Sequence, residues 1–354
     1  MKGPSIHSVA ASCPLPITEH STVQLAHGSG GKMMNDLISN LFLWAFDNPH
    51  LNKLNDQAVL DINGTKLAFS TDSFVVDPLF FPGGDIGDLA VNGTLNDIAM
   101  SGAKPLFLSA GFILEEGFSL NELKRIVESM QQAASEAGVA IVTGDTKVVD
   151  KGKGDKIFIN TAGIGLIEHE YQICTSSIQP GDVVLLSGTL ADHGITILSQ
   201  REGLAFETSV QSDTAALHSL VSKMLDAGGA SVHALRDPTR GGLAATLNEF
   251  AQSSGYGIRI DEKRIPIKPA VAGACEMLGI DPLHVANEGK LVAVVARDKA
   301  TAVLQAMHNH PFGKDSVMIG DVTKEAPDQV SMQTKLGSWR IVDMLVGEQL
   351  PRIC

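Results

Sequence analysis

Short apolar segments, separated by polar and turn-forming residues, recur through the first half of the chain. They predict strands at Lys66–Thr71, Leu106–Leu114, Val139–Val142 and Lys156–Ile167. Between the first two strands lies Gly87–Ser101, whose small and apolar residues predict a helix. The first half therefore mixes strands and helices in one unit.

A second helix in this half has clear signals at both ends. Ser119 and Glu122 have the S-x-x-E spacing of a capping box, in which the serine side chain caps the first turn. Gly138 is the residue type that most often ends a helix in the left-handed conformation. The pattern predicts a helix between Ser119 and Gly138.

The second half opens at a turn, Gln179–Asp182, and repeats the order strand, helix, helix, strand, helix. These segments are Val183–Ser187, Gly194–Gln200, Thr214–Ala227, Ser231–Leu235 and Leu243–Ser254, and a βα segment over 257–322 completes them. Strands and helices do not alternate strictly, which favours an α+β fold over a doubly wound sheet.

The length of 354 residues suggests two domains. We expect a flexible leader at 1–20, an N-terminal domain at 21–170 and a C-terminal domain at 178–346. The last segment, 347–354, contains Gly and Pro without periodicity and is predicted to be a mobile tail ending in Cys354.

Composition and charge exclude several classes of protein. The net charge of −13 leaves no basic stripe to neutralise nucleic-acid phosphates, so no nucleic-acid partner is expected. No apolar run approaches the roughly 20 residues of a membrane helix, and no signal peptide is apparent, so no membrane partner is expected. The four cysteines form no CxxC pair, which excludes a sequence-evident zinc or disulfide framework and favours the reducing cytoplasm.

Three carboxylates occupy positions that suit a metal–phosphate site. Asp72 and Asp145 are each expected at the end of a strand, and Asp97 lies in the small-residue helix. Such oxygens can share one Mg²⁺ with substrate phosphates, and Lys147 would add a positive charge nearby. Each residue taken alone is better explained by an ordinary turn, cap or solvated surface, so the metal–phosphate site depends on the joint pattern.

Two glycine-rich elements and the terminal cysteine remain open to two interpretations. His27–Lys32 lacks Walker A spacing and suits either a loop over phosphates or a linker. Asp237–Gly242 precedes a helix and suits either an anion site or a simple helix start. Cys354, the last residue, is either a mobile nucleophile or an accidental exposed thiol.

These elements together resemble the HypE family of hydrogenase maturation proteins, which are carbamoyl dehydratases. That family belongs to the superfamily of aminoimidazole ribonucleotide synthetase and selenophosphate synthetase. The resemblance covers the chain from about Val23 onward. It rests on HGSGGK (27–32), STDSFVVDPLFFPGGDIGDLAVNGTLNDIAMSGAKP (70–105), TGDTKVV (143–149), DPTRGGLAA (237–245), ANEGKL (286–291) and the terminal PRIC.

The resemblance implies a two-domain fold and an ATP-dependent reaction. The N-terminal domain would form a homodimer through a barrel-like sheet interface, with ATP in a cleft beside it and a C-terminal α+β sandwich packed against that cleft. Asp72, Asp97 and Asp145 would hold Mg²⁺. The implied nucleotide-binding residues are Asp72, Asn92, Thr94, Asp97, Asp145, Thr146, Asp237 and Thr239.

The resemblance also implies the chemistry. Cys354 would receive a carbamoyl group from the carbamoyltransferase HypF, and ATP would drive loss of water to give a thiocyanate. Glu288 would act as base, and Lys147 would stabilise the transferring phosphoryl group. The cyanide would pass to the HypC–HypD complex for the iron centre of [NiFe]-hydrogenase.

Two other functions fit parts of the sequence. One is a superfamily relative that acts on a free small molecule, although the loop at 27–32 lacks the cysteine typical of selenophosphate synthetases. The other is a non-catalytic carrier or metal chaperone that uses the tail thiol. Neither explains both the carboxylates and the terminal cysteine.

Overall fold

The computed structural model describes residues 21–203 and 210–347. The expected leader at 1–20 and most of the expected tail, including Cys354, lie outside the described residues. The described chain forms an N-terminal and a C-terminal unit, each with its own sheet. The elements of the N-terminal unit are α1 (Lys32–Leu37), α2 (Leu43–Phe46), β1 (Ala58–Ile62), β2 (Thr65–Phe74), β3 (Phe80–Phe81), β4 (Gly84–Asp85), α3 (Ile86–Ala99), β5 (Lys104–Glu115), α4 (Leu120–Ala137), β6 (Ala140–Val149) and β7 (Ile157–Ile167).

The N-terminal sheet has five strands in the order β1-β2-β7-β5-β6. All neighbours are antiparallel except β5 and β6, which run parallel because α4 crosses between them. Helices α3 and α4 cover one face, where Phe74, Leu108 and Ile159 pack against them. The other face of the sheet carries exposed apolar side chains.

Helix α3 begins where the side chain of Asp85 accepts hydrogen bonds from the backbone N–H groups of Gly87 and Asp88, at 2.7 and 3.2 Å. Almost all of this helix is buried, which its small residues permit. Helix α4 begins and ends as predicted: Ser119 Oγ accepts from the Glu122 N–H, and Gly138 has φ = 68°.

The C-terminal unit is a mixed sheet with helices on both faces. Its elements are β8 (Val183–Leu186), α5 (Asp192–Arg201), α6 (His218–Gly228), β9 (Val232–Arg236), α7 (Gly242–Ser254), β10 (Gly257–Asp261), α8 (Pro269–Leu278), β11 (Val292–Val295), α9 (Arg297–His308), β12 (Val317–Thr323), β13 (Val330–Gln333) and β14 (Trp339–Val342). The strand order is β14-β13-β10-β12-β8-β11-β9, and only β10 and β13 are parallel neighbours.

Successive side chains of the central strand β8 point to opposite faces of the sheet, so each face packs against its own layer of helices. Val184 and Leu186 of β8 pack with α5, α7 and α8, whereas Val183 and Leu185 pack with α6 and α9. Both faces of β8 are covered, so all four of its residues are apolar and buried. The predicted α+β class and C-terminal sandwich are confirmed.

Several elements differ from the sequence predictions at their ends. Strand β2 continues to Phe74 and β6 to Val149, so Asp72 and Asp145 lie inside strands and not at strand ends. Helix α6 begins at His218, four residues later than predicted. Within residues 21–203 and 210–347, no helix is both long and apolar enough to cross a bilayer.

Candidate active site

A cleft of about 510 Å³ lies between the two units, within the size range of small-molecule sites. Its walls come from β2, α3, the α1 region and the turn that precedes α7. The cleft brings together four of the predicted nucleotide-site residues, which are Asp72, Asp97, Asp237 and Thr239. These residues come from distant parts of the sequence, so the fold assembles the site.

Asp72 and Asp97 meet because β2 lies directly against α3. Ser70 Oγ, two residues before Asp72 on the same face of β2, donates a 2.7 Å hydrogen bond to Asp97 Oδ2. Gly93 and Asp97 are one helical turn apart and share a face of α3. A Cβ on Gly93 would lie 3.8 Å from Asp72 Oδ2 and 2.9 Å from Phe74, so the glycine allows this close helix–strand approach.

The cleft concentrates negative charge. Burial, together with the charges of Asp237, Asp72 and Asp56, raises the pKa of Asp97 well above its usual value. Burial and Asp56 likewise raise the pKa of Asp237. Burial also raises the pKa of Asp56 to about 6, although Arg236 opposes the shift. A bound cation would relieve this repulsion.

Arg236, which no sequence motif marked, lines the cleft and joins several segments of its wall by ion pairs and a hydrogen bond. Arg236 is buried; its Nε lies 2.9 Å from Asp56 Oδ1, and its Nη1 donates to Glu249. Its Nη2 donates to the Leu54 carbonyl. Arg236 directly precedes the predicted Asp237 element, but two of its partners, Leu54 and Asp56, lie in the N-terminal unit, with Leu54 182 positions away, so no local spacing marked it.

The donor set fits Mg²⁺ only when phosphate oxygens join it. Among residues 21–203 and 210–347, no group of three or more acidic, histidine or cysteine side chains is placed to hold a metal alone. Mg²⁺ commonly takes one or two carboxylates and fills its shell with phosphates and water. Asp72 and Asp97, which line the cleft, supply that many carboxylates.

Asp145, Thr146 and Lys147 do not reach this cleft within one chain. Strand β6 is separated from β2 by β7 and β5. Asp72 pairs with Thr161, on the face that α3 covers, whereas Asp145 pairs with Gly111 on the opposite face. Asp145 and Lys147 bond each other at 2.7 Å and are each more than two-thirds exposed. The expected convergence of three aspartates is therefore not found in one chain.

Asn92 and Thr94 do not line the cleft; their side chains hydrogen-bond α3 to its neighbouring segments. Asn92 Nδ2 donates to Thr214 Oγ1 at 3.0 Å, beside a separate cavity of about 550 Å³. Thr94 is fully buried, with its hydroxyl 2.6 Å from that of Thr161 on β7. Thr161 in turn donates to the Ala90 carbonyl.

Glu288 is buried, and its Oε1 has no hydrogen-bond partner among the described residues. Burial raises the pKa of its carboxyl well above the usual value, and the charges of Asp72, Asp213 and Asp237 act in the same direction. Such a group is a strong proton acceptor once it is ionised. Glu288 does not itself line the cleft, but the neighbouring Asn287 donates from its backbone N–H and its Nδ2 to the Pro238 carbonyl, directly after Asp237.

The glycine-rich loop and the end of the described chain meet beside the cleft. A Cβ on Gly30 would lie 2.4 Å from the Arg240 carbonyl, so this loop packs tightly on the Asp237–Gly242 turn. The Lys32 N–H donates to the Leu345 carbonyl at 2.8 Å. The chain therefore leaves the described structure close to the cleft.

Comparison with known proteins matches both halves of the chain to one family. Residues 54–167 match the N-terminal domain, and residues 179–333 the C-terminal domain, of the AIR synthase related proteins. Carbamoyl dehydratase HypE of Bradyrhizobium diazoefficiens is 57% identical over 94% of this chain and 96% of its own length.

Two solved structures extend this similarity. The HypE chain of a HypE–HypF complex has a TM-score of 0.83 and 51% identity, and the match covers 87% of this chain and 99% of that one. The hydrogenase maturation protein HypE in complex with ATP has a TM-score of 0.79 and 51% identity, over 94% of this chain and all of that one.

Proposed function

The chain belongs to the HypE family of carbamoyl dehydratases, and from this premise we propose that it uses ATP to dehydrate a carbamoyl group held on its own Cys354. The observation that carries the proposal is the acidic cleft between the units, with Leu345 fixed at its edge. The seven residues after Gly347 span at most about 25 Å when extended, so the cleft is within reach of the terminal sulfur.

The reaction removes the carbonyl oxygen as phosphate. The γ-phosphoryl group of ATP moves to the oxygen of Cys354–S–C(=O)–NH₂, and ADP leaves. The carbon–oxygen bond then breaks, the nitrogen loses both protons, one to Glu288 and one to solvent, and the products are Cys354–S–C≡N and inorganic phosphate. Phosphorylation is needed because oxide is a poor leaving group and phosphate a good one.

The described residues can be given roles in this reaction. Asp72 and Asp97 would hold Mg²⁺ against the triphosphate, which the ion neutralises when bound. Asp237 and Thr239 would contact the phosphate side from the second unit. Glu288 would accept a proton from the carbamoyl nitrogen. Asn92 and Thr94 would act through α3, by fixing the helix that carries Asp97.

We propose that the active form is a homodimer. One face of the N-terminal sheet, which no helix of residues 21–203 and 210–347 covers, carries Phe69, Phe107 and Ile164; they face one another across β2, β7 and β5 and are 40–48% exposed. Apolar surface of this kind, continuous with the edge of β6 that no other described strand pairs with, favours a protein partner. A second copy would bring its Asp145, Thr146 and Lys147, which this face and edge display, toward the nucleotide.

The partners and location follow from the proposed reaction. A relative with 51% identity forms a complex with HypF, so HypF is the proposed carbamoyl donor. The HypC–HypD complex is the proposed acceptor of the cyanide, for the iron centre of [NiFe]-hydrogenase. The cytoplasm is the proposed location.

Intact-protein mass spectrometry tests the proposal. The chain is first carbamoylated with HypF, then purified and incubated with ATP and Mg²⁺. The carbamoylated mass should fall by one water only when ATP is present. Cys354→Ala should gain no carbamoyl group, whereas Cys174→Ala should behave like the unmodified chain. Dehydration in Cys354→Ala, or without ATP, would contradict the proposal.

A further inference from the structure

The loop that carries Glu288 is held from several directions. Asn96 Nδ2, on α3, donates to the Glu288 carbonyl at 3.1 Å. The neighbouring Asn287 accepts from the Ala191 N–H at 2.8 Å and donates to the Pro238 carbonyl at 2.9 Å. The loop is therefore tied to both units of the molecule.

Asp213 also contacts Glu288 directly, through the Glu288 backbone N–H. Asp213 Oδ1 accepts from the Glu288 N–H at 3.1 Å, and Asp213 Oδ2 lies 3.1 Å from Lys290 Nζ. Both side chains of this ion pair are largely buried, at 4% and 13% exposed. A Cβ on Gly289 would lie 1.7 Å from the Asp213 carbonyl oxygen, so the two segments touch at a position where only glycine fits.

Asp213 carries its charge within this contact. Burial alone would raise its pKa, but Lys290, His193 and the Glu288 N–H bring the pKa of Asp213 below its usual value. A buried carboxylate that stays ionised beside a second carboxyl group disfavours ionisation of that group. The described charged groups that act on Glu288 are Asp72, Asp213, Asp237 and Arg240, with Lys290 and His193 acting on Asp213.

We propose that Asp213 is a positioning residue for the dehydration: it fixes the Glu288 backbone, and its charge keeps the Glu288 carboxyl a strong proton acceptor. The inference rests on the proposed role of Glu288. Lys290 keeps Asp213 ionised, so the two residues act as one unit. No spacing in the sequence marks this role, because Asp213 and Glu288 are 75 positions apart.

The ionisation of Glu288 sets the direction of the expected pH effect. If Glu288 must be ionised to accept a proton, the dehydration rate falls on the acid side as its carboxyl becomes protonated. Asp213→Asn removes a negative charge that raises the pKa of Glu288. The acid limb of the pH–rate profile should then move to lower pH. The plateau rate should fall by about threefold, because a weaker base catalyses less well.

Single-turnover dehydration measures this profile. The carbamoylated full-length chain is mixed with excess ATP and Mg²⁺ between about pH 5 and pH 9, and loss of water is followed by intact mass. Asp321→Asn is the matched control, since Asp321 pairs with Arg259 on β12 and β10 and does not line the cleft. The limb should shift in Asp213→Asn and stay in place in Asp321→Asn.

Further variants separate the possible failures. Asp213→Asn with Lys290→Gln removes both charges of this ion pair, so it serves if the single variant does not fold, and it should shift the limb in the same direction. Glu288→Gln should abolish the limb together with most of the rate. If Glu288→Gln keeps the rate and the limb, the proposed base is wrong. If Glu288→Gln is inactive but neither Asp213 variant moves the limb, only the role of Asp213 is overturned.

Discussion

Asn96 joins the two units through one fully buried side chain, and its removal gives a quantitative test of how they are held. Its Nδ2 donates to the carbonyls of Ala215 and Glu288, and its Oδ1 accepts from the Leu217 N–H at 2.8 Å. Asn96→Ala leaves these three backbone groups without a partner. At about 1 kcal/mol for each lost bond, and more if the groups stay dry, the cost is about 3–6 kcal/mol. That is a large fraction of a typical stability of about 5–15 kcal/mol.

Urea unfolding followed by tryptophan fluorescence and circular dichroism measures the cost. The first transition of Asn96→Ala should move to lower urea by about 1 M or more, for a slope near 3 kcal/mol/M. Asn48→Ala is a matched control, because Asn48 also bonds three backbone groups, donating to the Phe46 carbonyl and accepting from the N–H groups of His50 and Leu51, but is exposed, so that water can replace these bonds. The control should change stability by about 0.5 kcal/mol or less. Equal shifts in the two variants would refute the argument from burial.

Three further results are expected. Asp97→Asn should fold but lose ATP turnover by about 100-fold or more, as measured by phosphate release; unchanged turnover would remove Asp97 from the site. Without nucleotide, the unfolding free energy should fall as pH rises from about 4, because the folded state keeps protons on Asp97 and Asp237 that the unfolded chain loses near pKa 3.8. Thermal melts at pH 5 and pH 8 should show this fall, and Asp97→Asn should reduce it; a flat profile would contradict the pKa directions. Phe107→Glu should yield monomers in light scattering, whereas the equally exposed Phe312→Glu should not, and a dimeric Phe107→Glu would argue against the proposed interface.

Each element that the sequence predicted has the predicted type, but several differ in length, and α1, α2, β1, β13 and β14 were not predicted. The cap at Ser119 and the stop at Gly138 depend on neighbours a few residues away, and α4 forms where they predict it. Strand β2 instead continues past Thr71 because β7 pairs with it as far as Phe74, a contact about 90 residues away. Helix α6 starts late because Asn96 holds the Leu217 N–H outside the helix.

The residues of the site likewise divide into those marked by a local motif and those identified only by distant contacts. Asp72, Asp97 and Asp237 stood out because each sits in a motif of glycines and polar residues, and the cleft brings them together. Arg236 and Asp213 were missed because their partners lie far along the chain. The motif around Asp145 gave no information about which face of the sheet Asp145 would occupy, so its position away from the cleft of its own chain could not be predicted.

Helix α3 contacts both the acidic cleft and the loop that carries Glu288, so movement of the helix would affect both. Asn96 and Asp97 are consecutive, so their side chains leave the helix about 100° apart, one toward the C-terminal unit and the other toward the acidic cleft. A rotation or shift of α3 that moves one of them must move the other. Opening the cleft by displacing this helix would therefore also displace the loop that carries Glu288, so nucleotide exchange at the proposed site and the position of the proposed base would change together.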